Sequence, residues 1–297
     1  MANTALIVGA SGIVGNNLAH HLLAKGWHVH GLARRPPTDI HGLQPVSADL
    51  LDPAALKTAL AKIRPSHVFL STWMRQPTEA ENIRVNGTMV RNVLDAVSPG
   101  ASVQHVALVT GLKHYLGPFE AYGKGTMPPT PFREEQGRLD VENFYYAQED
   151  EWNGLTDMTD ARVLARHLTW AATTEAARNQ AFNIVNGDVF RWSWMWQRIA
   201  DWFGVKPAAF GGEGVPLETQ LADAASIWSD IAGKYNLVER DLKVLASPWH
   251  TDADLGRPIE VVTDMSKSRK LGFLDYQATD DSFTDLFKRL KDARIIP

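Results

Sequence analysis

Apolar residues recur along this chain in two rhythms. In the first 150 residues, short apolar runs alternate with stretches whose apolar positions fall every three or four residues. Ala5–Val8, Trp27–Ala33, Pro45–Leu50, His67–Thr72 and Val103–Thr110 are the runs, and they read as strands. Asn16–Lys25, Asp52–Ile63 and Glu79–Val97 lie between them and read as helices. The last sets Ile83, Val90, Val93, Leu94 and Val97 on one face, and Asp52-Pro53 supplies an N-cap followed by proline at the first helical position. After a proline- and glycine-rich loop to about Gly137, Asp140–Glu151 reads as one more helix. Regular alternation of strand and helix predicts an α/β fold, a Rossmann-type doubly wound parallel sheet. From residue 152 the rhythm is almost entirely helical. Helices are expected over Asp160–Ala177, Ser193–Phe203, Leu217–Ala232, Val238–Ala246 and Asp281–Ala293. Ala181–Val185, closed by the turn pair Asn186-Gly187, reads as a strand placed to return to the sheet. The division expected is a nucleotide-binding domain over residues 1–151 and a smaller, mostly helical substrate-covering lobe over 152–297.

The first strand runs into Gly9-x-x-Gly12-x-x-Gly15 and then a helix, the context that gives such a motif meaning. Gly9 allows the tight turn, Gly12 a close approach of backbone to a pyrophosphate, and Gly15 the packing of helix on strand. The helix N-terminus offers unpaired N–H groups and partial positive charge to phosphates. At the end of the second strand, where an NAD-binding protein carries an acidic residue for the ribose hydroxyls, stand Arg34 and Arg35. Guanidinium groups suit a phosphate dianion, so the cofactor read from the sequence is NADP(H).

Composition narrows the setting. The 297 residues are 44% hydrophobic and 22% charged with net charge −4, which supports a sizeable core and argues against a nucleic-acid partner. The chain has 0 cysteines, which excludes disulfides and thiol catalysis and suits a cytoplasmic location. Neither a signal peptide nor a membrane span is expected. The 10 tryptophans include Trp192, Trp194, Trp196 and Trp202, read as helix packing, and His167 is read as a packed core histidine. No cluster has metal-ligand spacing. The partner expected is a small molecule; a homodimer stays open.

Ligands of doubly wound sheets bind beyond the carboxyl ends of the strands. That puts Ser71, Thr72 and Trp73 after the fourth strand, and Thr110 after the fifth, at the cofactor crevice. Asp49, at the end of the third strand, suits the adenine amino group or serves a turn equally well. Lys113, just past the fifth strand, is a candidate for the nicotinamide ribose. Tyr145 and Tyr146 sit in the 140–151 helix. The Tyr-x-x-x-Lys pair of many short-chain dehydrogenases is absent, because Glu149 and Asp150 occupy the lysine positions. A tyrosine acting here needs its lysine from elsewhere, and Lys113 is the obvious donor.

Together with Gly31-Leu-Ala-Arg-Arg-Pro36, Thr72-Trp73, Thr110-Gly-Leu-Lys-His-Tyr-Leu-Gly-Pro-Phe119, Asn143-Phe-Tyr-Tyr146 and Phe182-Asn-Ile-Val-Asn-Gly-Asp-Val-Phe190, the glycine motif resembles the progesterone 5β-reductase/iridoid synthase family. These are atypical short-chain dehydrogenases that reduce activated carbon–carbon double bonds with NADPH. The resemblance implies Tyr145 and Lys113 as the catalytic pair. It implies Ser11, Gly12 and Ile13 at the phosphates, Arg34 and Arg35 at the 2′-phosphate, and Asp49 and Leu50 at the adenine. Phe119 matches a pocket-lining position, and Trp73 and Tyr146 join it as substrate-facing candidates. In one place the chain departs from the family. After Glu151 it passes to Trp152-Asn-Gly-Leu-Thr-Asp, which resembles a point much later in the family, so several tens of residues are absent. A true deletion would remove a strand and half the pocket, at heavy cost to activity; otherwise the 297 residues omit a segment at that junction. The apolar faces of the 140–151 helix and of strand five favour the second alternative, since both need a neighbour.

The activity implied is 1,4-reduction of an enone or enal. Three other classes compete: a carbonyl reductase or sugar-nucleotide epimerase/dehydratase of the same fold, a non-catalytic NADPH-binding sensor, and an interaction scaffold. The missing Tyr-x-x-x-Lys counts against the first and the arginine pair against the last.

Overall fold

The computed structural model describes residues 3–100, 102–112, 115, 130–134, 155–207, 215–255 and 260–297. Five parallel strands form one sheet: β1 (Thr4–Val8), β2 (His28–Ala33), β3 (Gln44–Ser47), β4 (His67–Leu70) and β5 (His105–Leu108), in the order β3-β2-β1-β4-β5. The chain builds outward from β1 in one direction and then returns to build in the other. The switch therefore falls between β1 and β4, and it opens a crevice at their carboxyl ends. Register is regular, with Val8 opposite Leu32 on one side and Leu70 on the other. β1 is apolar on both faces because both are covered.

On one face lie α1 (Ile13–Ala24) and α4 (Ala161–Thr173), which comes from the C-terminal half; Leu18, Leu22, Leu164 and Leu168 meet Ala5, Ile7 and Phe69. On the other lie α2 (Pro53–Leu60) and α3 (Glu79–Val97), with Leu56, Met89 and Val93 against Leu6, Val8 and Val68. Asp52 caps α2 by accepting from the N–H groups of Ala54 and Ala55, and Thr78 caps α3 through Glu81. Each cap satisfies donors that the helix leaves open.

Among the described residues, coverage of the sheet stops at β5. Ala107 and Val109 pack toward α4, but Val106 is 43% exposed and Leu108 55%, although their register partners Val68 and Leu70 are buried. Among the described residues nothing pairs with the outer edge of β5.

Beyond the sheet, a short antiparallel pair, β6 (Leu155–Thr156) and β7 (Phe190–Arg191), precedes a helical region. Its helices are α5 (Trp192–Phe203), α6 (Leu217–Gln220), α7 (Ala224–Lys234), α8 (Leu242–Leu245), α9 (Pro248–Leu255), α10 (Ser266–Lys270) and α11 (Thr279–Asp292). Residues 181–185 do not form the expected strand. Side chains take the backbone groups that a ladder would use. Asn183 N–H donates to Glu134 Oε1, Val185 N–H to Met265 Sδ, and the Ile184 carbonyl accepts from Thr159 Oγ1. The long helix expected over Leu217–Ala232 is split into α6 and α7 by a turn over residues 221–223, and the Asp252 carboxylate of α9 accepts from Leu217 N–H at the start of α6. The expected helix at Val238–Ala246 shrinks to α8, because Glu239 and Asp241 side chains cap the backbone and restart it at Leu242.

His167 is packed, as its apolar setting implies. It is 4% exposed, touches Trp170, Phe182 and Phe273, and lies 3.0 Å from Ser268 Oγ; burial pushes its pKa down to about 4. Of the tryptophans, Trp192 and Trp202 pack against Phe283 and Phe287 of α11, whereas Trp194 and Trp196 stay 43% and 46% exposed.

Candidate functional site

The glycine turn has the geometry its spacing predicts. Gly9 has φ +91, the left-handed region that only glycine enters freely, and its N–H donates to Leu32 O at 2.9 Å. A Cβ there would also stand 3.0 Å from Ser71 O and from Thr72 Cβ, so the ends of β1 and β4 meet at this residue. Gly12 N–H donates to Gly9 O at 3.0 Å, closing the turn, and Gly12 is the N-cap of α1. No side chain caps α1 and no acidic residue stands in its first turn. The first-turn N–H groups and the positive end of the helix dipole are left for a ligand anion. Ser11, Gly12 and Ile13 are exposed, and a Cβ on Gly12 would meet only Gly9 O, at 3.4 Å. These residues fit a pyrophosphate.

The other crevice residues follow from the sheet. Arg34 and Arg35 stand exposed past β2, with no ion pair among the described residues. Asp49 lies past β3, where its Oδ1 accepts from Leu51 N–H at 2.9 Å, so it serves a turn and keeps its second oxygen. Leu50 is buried, and its carbonyl accepts from Asn92. Ser71 donates to Val8 O at 3.0 Å, which ties β4 to β1. Trp73 is 55% exposed beside the crevice. Next to it, the Arg75 guanidinium lies 4.6 Å from the Trp249 ring of α9, a contact between the crevice rim and the helical region. Thr110 is exposed past β5. Lys113, Phe119, Tyr145 and Tyr146 lie outside the described residues.

A cavity of about 500 Å³ adjoins the glycine turn. Ser11, Gly12, Ile13 and Asn16 form one wall, Asp160 at the start of α4 a second, and Arg289 of α11 a third. Sequence reasoning missed Arg289, since nothing in helical spacing ties the last helix to the first. Asp160 was expected only as the first residue of a helix; it is the N-cap of α4, accepting from Arg162 N–H. Burial works against its charge, but the Arg162 fork outweighs burial and brings its pKa down to about 2.

Among the described residues Asp157 is the other strongly shifted acid. Burial raises its pKa from 3.8 to about 7, the Asp188 carboxylate adds to the rise, and the hydrogen bond from Thr263 N–H at 2.6 Å opposes it. A folded-state pKa above the unfolded value means that the protonated form is the stable one. Its contribution is complete below about pH 4 and is lost as pH rises through about 7. Asp157→Asn keeps an acceptor for Thr263 and removes the charge. Its thermal midpoint is expected to exceed wild type at pH 8 and to match it at pH 4; equal midpoints at both values would contradict this origin.

Among the described residues no group of acidic or histidine side chains could hold a metal ion, and no helix is long and apolar enough to cross a membrane.

Residues 5–148 match the model of the NAD dependent epimerase/dehydratase family. Over 365 residues the chain is 32% identical to the (S)-8-oxocitronellyl enol synthase CYC2 of Camptotheca acuminata, with 99% of this chain and 93% of that protein covered. Likeness at that level over the whole chain decides the family. The chain belongs to the progesterone 5β-reductase/iridoid synthase family. A second relative is the 3-oxo-Delta(4,5)-steroid 5-beta-reductase of Arabidopsis thaliana, 30% identical over 99% of this chain and 93% of that protein. The family is one of oxidoreductases. Both alignments span 365 positions against the 297 residues here, so several tens of residues in each relative have no counterpart. In fold, the chain is similar to the Bordetella bronchiseptica enzyme WbmG in complex with NAD (TM-score 0.65, 14% identity, 100% of this chain and 96% of that chain). It is likewise similar to UDP-glucose 4-epimerase from Brucella ovis in complex with NAD (TM-score 0.63, 16% identity, 95% and 96% covered).

Proposed function

We propose that this protein is an NADPH-dependent reductase of activated carbon–carbon double bonds, acting on an enone or enal. What carries the reading is whole-chain likeness to relatives named for two such reactions, joined to a phosphate-binding turn and an arginine pair on one edge of the sheet. The two names share one chemistry. A 3-oxo-Δ4,5-steroid reduced at C5 and an oxocitronellyl compound left as an enol both follow from hydride addition at the β-carbon of a conjugated carbonyl. Reduced nicotinamide supplies that hydride when bound.

The chain's own residues do the rest. Gly9, Gly12, Gly15, Ser11 and Ile13 shape the pyrophosphate turn, and Arg34 and Arg35 pair with a 2′-phosphate. Asp49 and Leu50 border the adenine; Ser71, Thr72, Trp73 and Thr110 border the nicotinamide half. As charge gathers on the substrate carbonyl oxygen, the Tyr145 hydroxyl donates a hydrogen bond to it and stabilises the enolate. Lys113 adds positive potential that lowers the tyrosine pKa and holds the ribose. Trp73, Phe119 and Tyr146 line the substrate side. No residue is assigned to protonate the α-carbon; solvent suffices.

Replacing both Arg34 and Arg35 by alanine is expected to weaken NADPH binding by about ten- to a hundredfold, while NADH binding stays within about twofold, because charge-assisted pairs to one phosphate are lost. Equal losses for both cofactors in fluorescence titrations would remove the 2′-phosphate assignment. Activity is tested by loss of NADPH absorbance with 2-cyclohexen-1-one and, separately, cyclohexanone. Turnover of the enone alone supports the reading, and turnover of the ketone alone moves the protein to carbonyl reduction.

One observation favours a second reading. Several tens of residues of each relative have no counterpart here, which suits a protein that binds NADPH without turning it over. Tight NADPH binding with no reduction of either probe would support it.

A further inference from the structure

We infer that Arg289, on the last helix, binds the cofactor pyrophosphate together with the glycine turn. The inference rests on the cofactor reading proposed above and adds one residue to that site. An exposed arginine on a helix is ordinarily a solvated charge, and three observations set this one apart.

The first is its setting. Arg289 lines the cavity of about 500 Å³ that Ser11, Gly12, Ile13 and Asn16 also line. There α1 begins with no side-chain cap and no acidic residue in its first turn. The same space therefore receives open N–H donors, the positive end of a helix dipole and a guanidinium. Lys291 of the same helix lies elsewhere, 6.0 Å from the Trp202 ring.

The second is the state of the nearby acids. Asp285 stands four residues before Arg289, the spacing at which a carboxylate and an arginine pair along a helix. Its Oδ2 lies instead 3.0 Å from Arg162 Nη1. Asp160, the acid that lines the cavity, is held by the same arginine. Arg162 Nε is 3.0 and 3.1 Å from its two carboxylate oxygens, and Nη2 is 2.6 Å from Oδ2. Arg162 thus occupies both carboxylates that would compete with an anion, and Arg289 has no ion pair among the described residues.

The third is the support behind the arginine. Asn186 is 1% exposed; its Oδ1 accepts from Asp160 N–H at 2.6 Å, and its Nδ2 donates to Thr279 Oγ1 at 3.0 Å. One buried amide therefore ties the start of α4 to the start of α11. α4 in turn packs Leu164 and Leu168 into the same core as Leu18 and Leu22 of α1. The last helix is fixed relative to the first, so little freedom is lost when both meet one ligand. A pyrophosphate has oxygens enough for the α1 N–H groups and for a guanidinium fork at once.

Pyrophosphate is common to NADPH and NADH, whereas Arg34 and Arg35 are assigned to the 2′-phosphate of NADPH alone. Full-length Arg289→Ala, Arg289→Lys and the Arg34→Ala/Arg35→Ala double variant are titrated by fluorescence with NADPH, NADH and adenosine 2′-monophosphate, which carries no pyrophosphate. Arg289→Ala is expected to weaken NADPH and NADH alike by about tenfold and to leave adenosine 2′-monophosphate unchanged. Arg289→Lys should recover part of the loss, and the ligand-free thermal midpoint should match wild type in both. The double variant should lose NADPH and adenosine 2′-monophosphate and keep NADH. Wild-type dinucleotide affinity in Arg289→Ala, a loss confined to NADPH, or a loss accompanied by a lowered ligand-free midpoint overturns the assignment and leaves the proposed function standing. Failure of the wild type to bind either dinucleotide overturns both. NADPH binding without enone reduction overturns the proposed activity alone, and the comparison of variants still decides the role of Arg289.

Discussion

Gly15→Ala is expected to yield little folded protein, while Gly12→Ala folds normally and loses its cofactor. The two positions are three residues apart in one motif, but their surroundings differ. A Cβ on Gly15 would stand 2.3 Å from Gly9 O, 2.8 Å from Gly9 C and 2.9 Å from Ala10 Cα. All three are backbone atoms, so no side chain can turn aside to make room. Relief requires α1 to move away from β1, and α1 carries Leu18 and Leu22 of the core. Overpacking of this kind costs at least the upper end of about 1–3 kcal/mol, a large part of a domain's net stability. At Gly12 the nearest atom would be at 3.4 Å, an ordinary contact, and the new methyl would face the space assigned to the pyrophosphate. Circular dichroism melts paired with NADPH titrations check both halves. A stable Gly15→Ala would contradict the packing account; a Gly12→Ala that binds NADPH like wild type would contradict the phosphate account.

The largest effect on rate is expected for Tyr145→Phe. Removing one hydrogen-bond donor from a developing oxyanion costs about 10²–10³ in kcat. NADPH affinity should stay within about twofold, since the proposed partner of the hydroxyl is the substrate oxygen and not the cofactor. A separate bound on the effect comes from an aldehyde or ketone whose double bond is more strongly polarised. Such a substrate needs less help at its oxygen and should lose less. Steady-state kinetics on wild type and variant with two enones of differing electron demand test this. An unchanged kcat would take Tyr145 out of the mechanism.

Sequence pattern disclosed most where a local signal and a tertiary need coincide. α3 runs over Glu79–Val97 as expected, because Thr78 is a working cap, but the face it buries against the sheet is Val85, Met89, Val93 and Val97; Ile83, expected on the apolar face, is 69% exposed. The cap at Asp52 was legible for the same reason. The glycine turn was legible down to individual roles: Gly9 takes a positive φ, and Gly15 leaves no room for a side chain.

Where partners lie far away in sequence, pattern fails. Ala181–Val185 has the composition of a strand, yet Glu134, Thr159 and Met265 claim its backbone, and none of those contacts has a local signature. α9 was missed although Ser247-Pro248 is a readable start and Thr251 N–H bonds to Ser247 O. Arg289 reaches the cavity beside the first helix from the last, a relation that only the folded chain displays.

The most direct test of the central claim follows the hydride itself. Purified protein is incubated with 2-cyclohexen-1-one and NADPH carrying deuterium at nicotinamide C4, and the product is read by mass spectrometry and NMR. The account predicts cyclohexanone with deuterium at the β-carbon and none on the carbonyl carbon. Deuterium on a carbinol carbon, with the double bond intact, would contradict it.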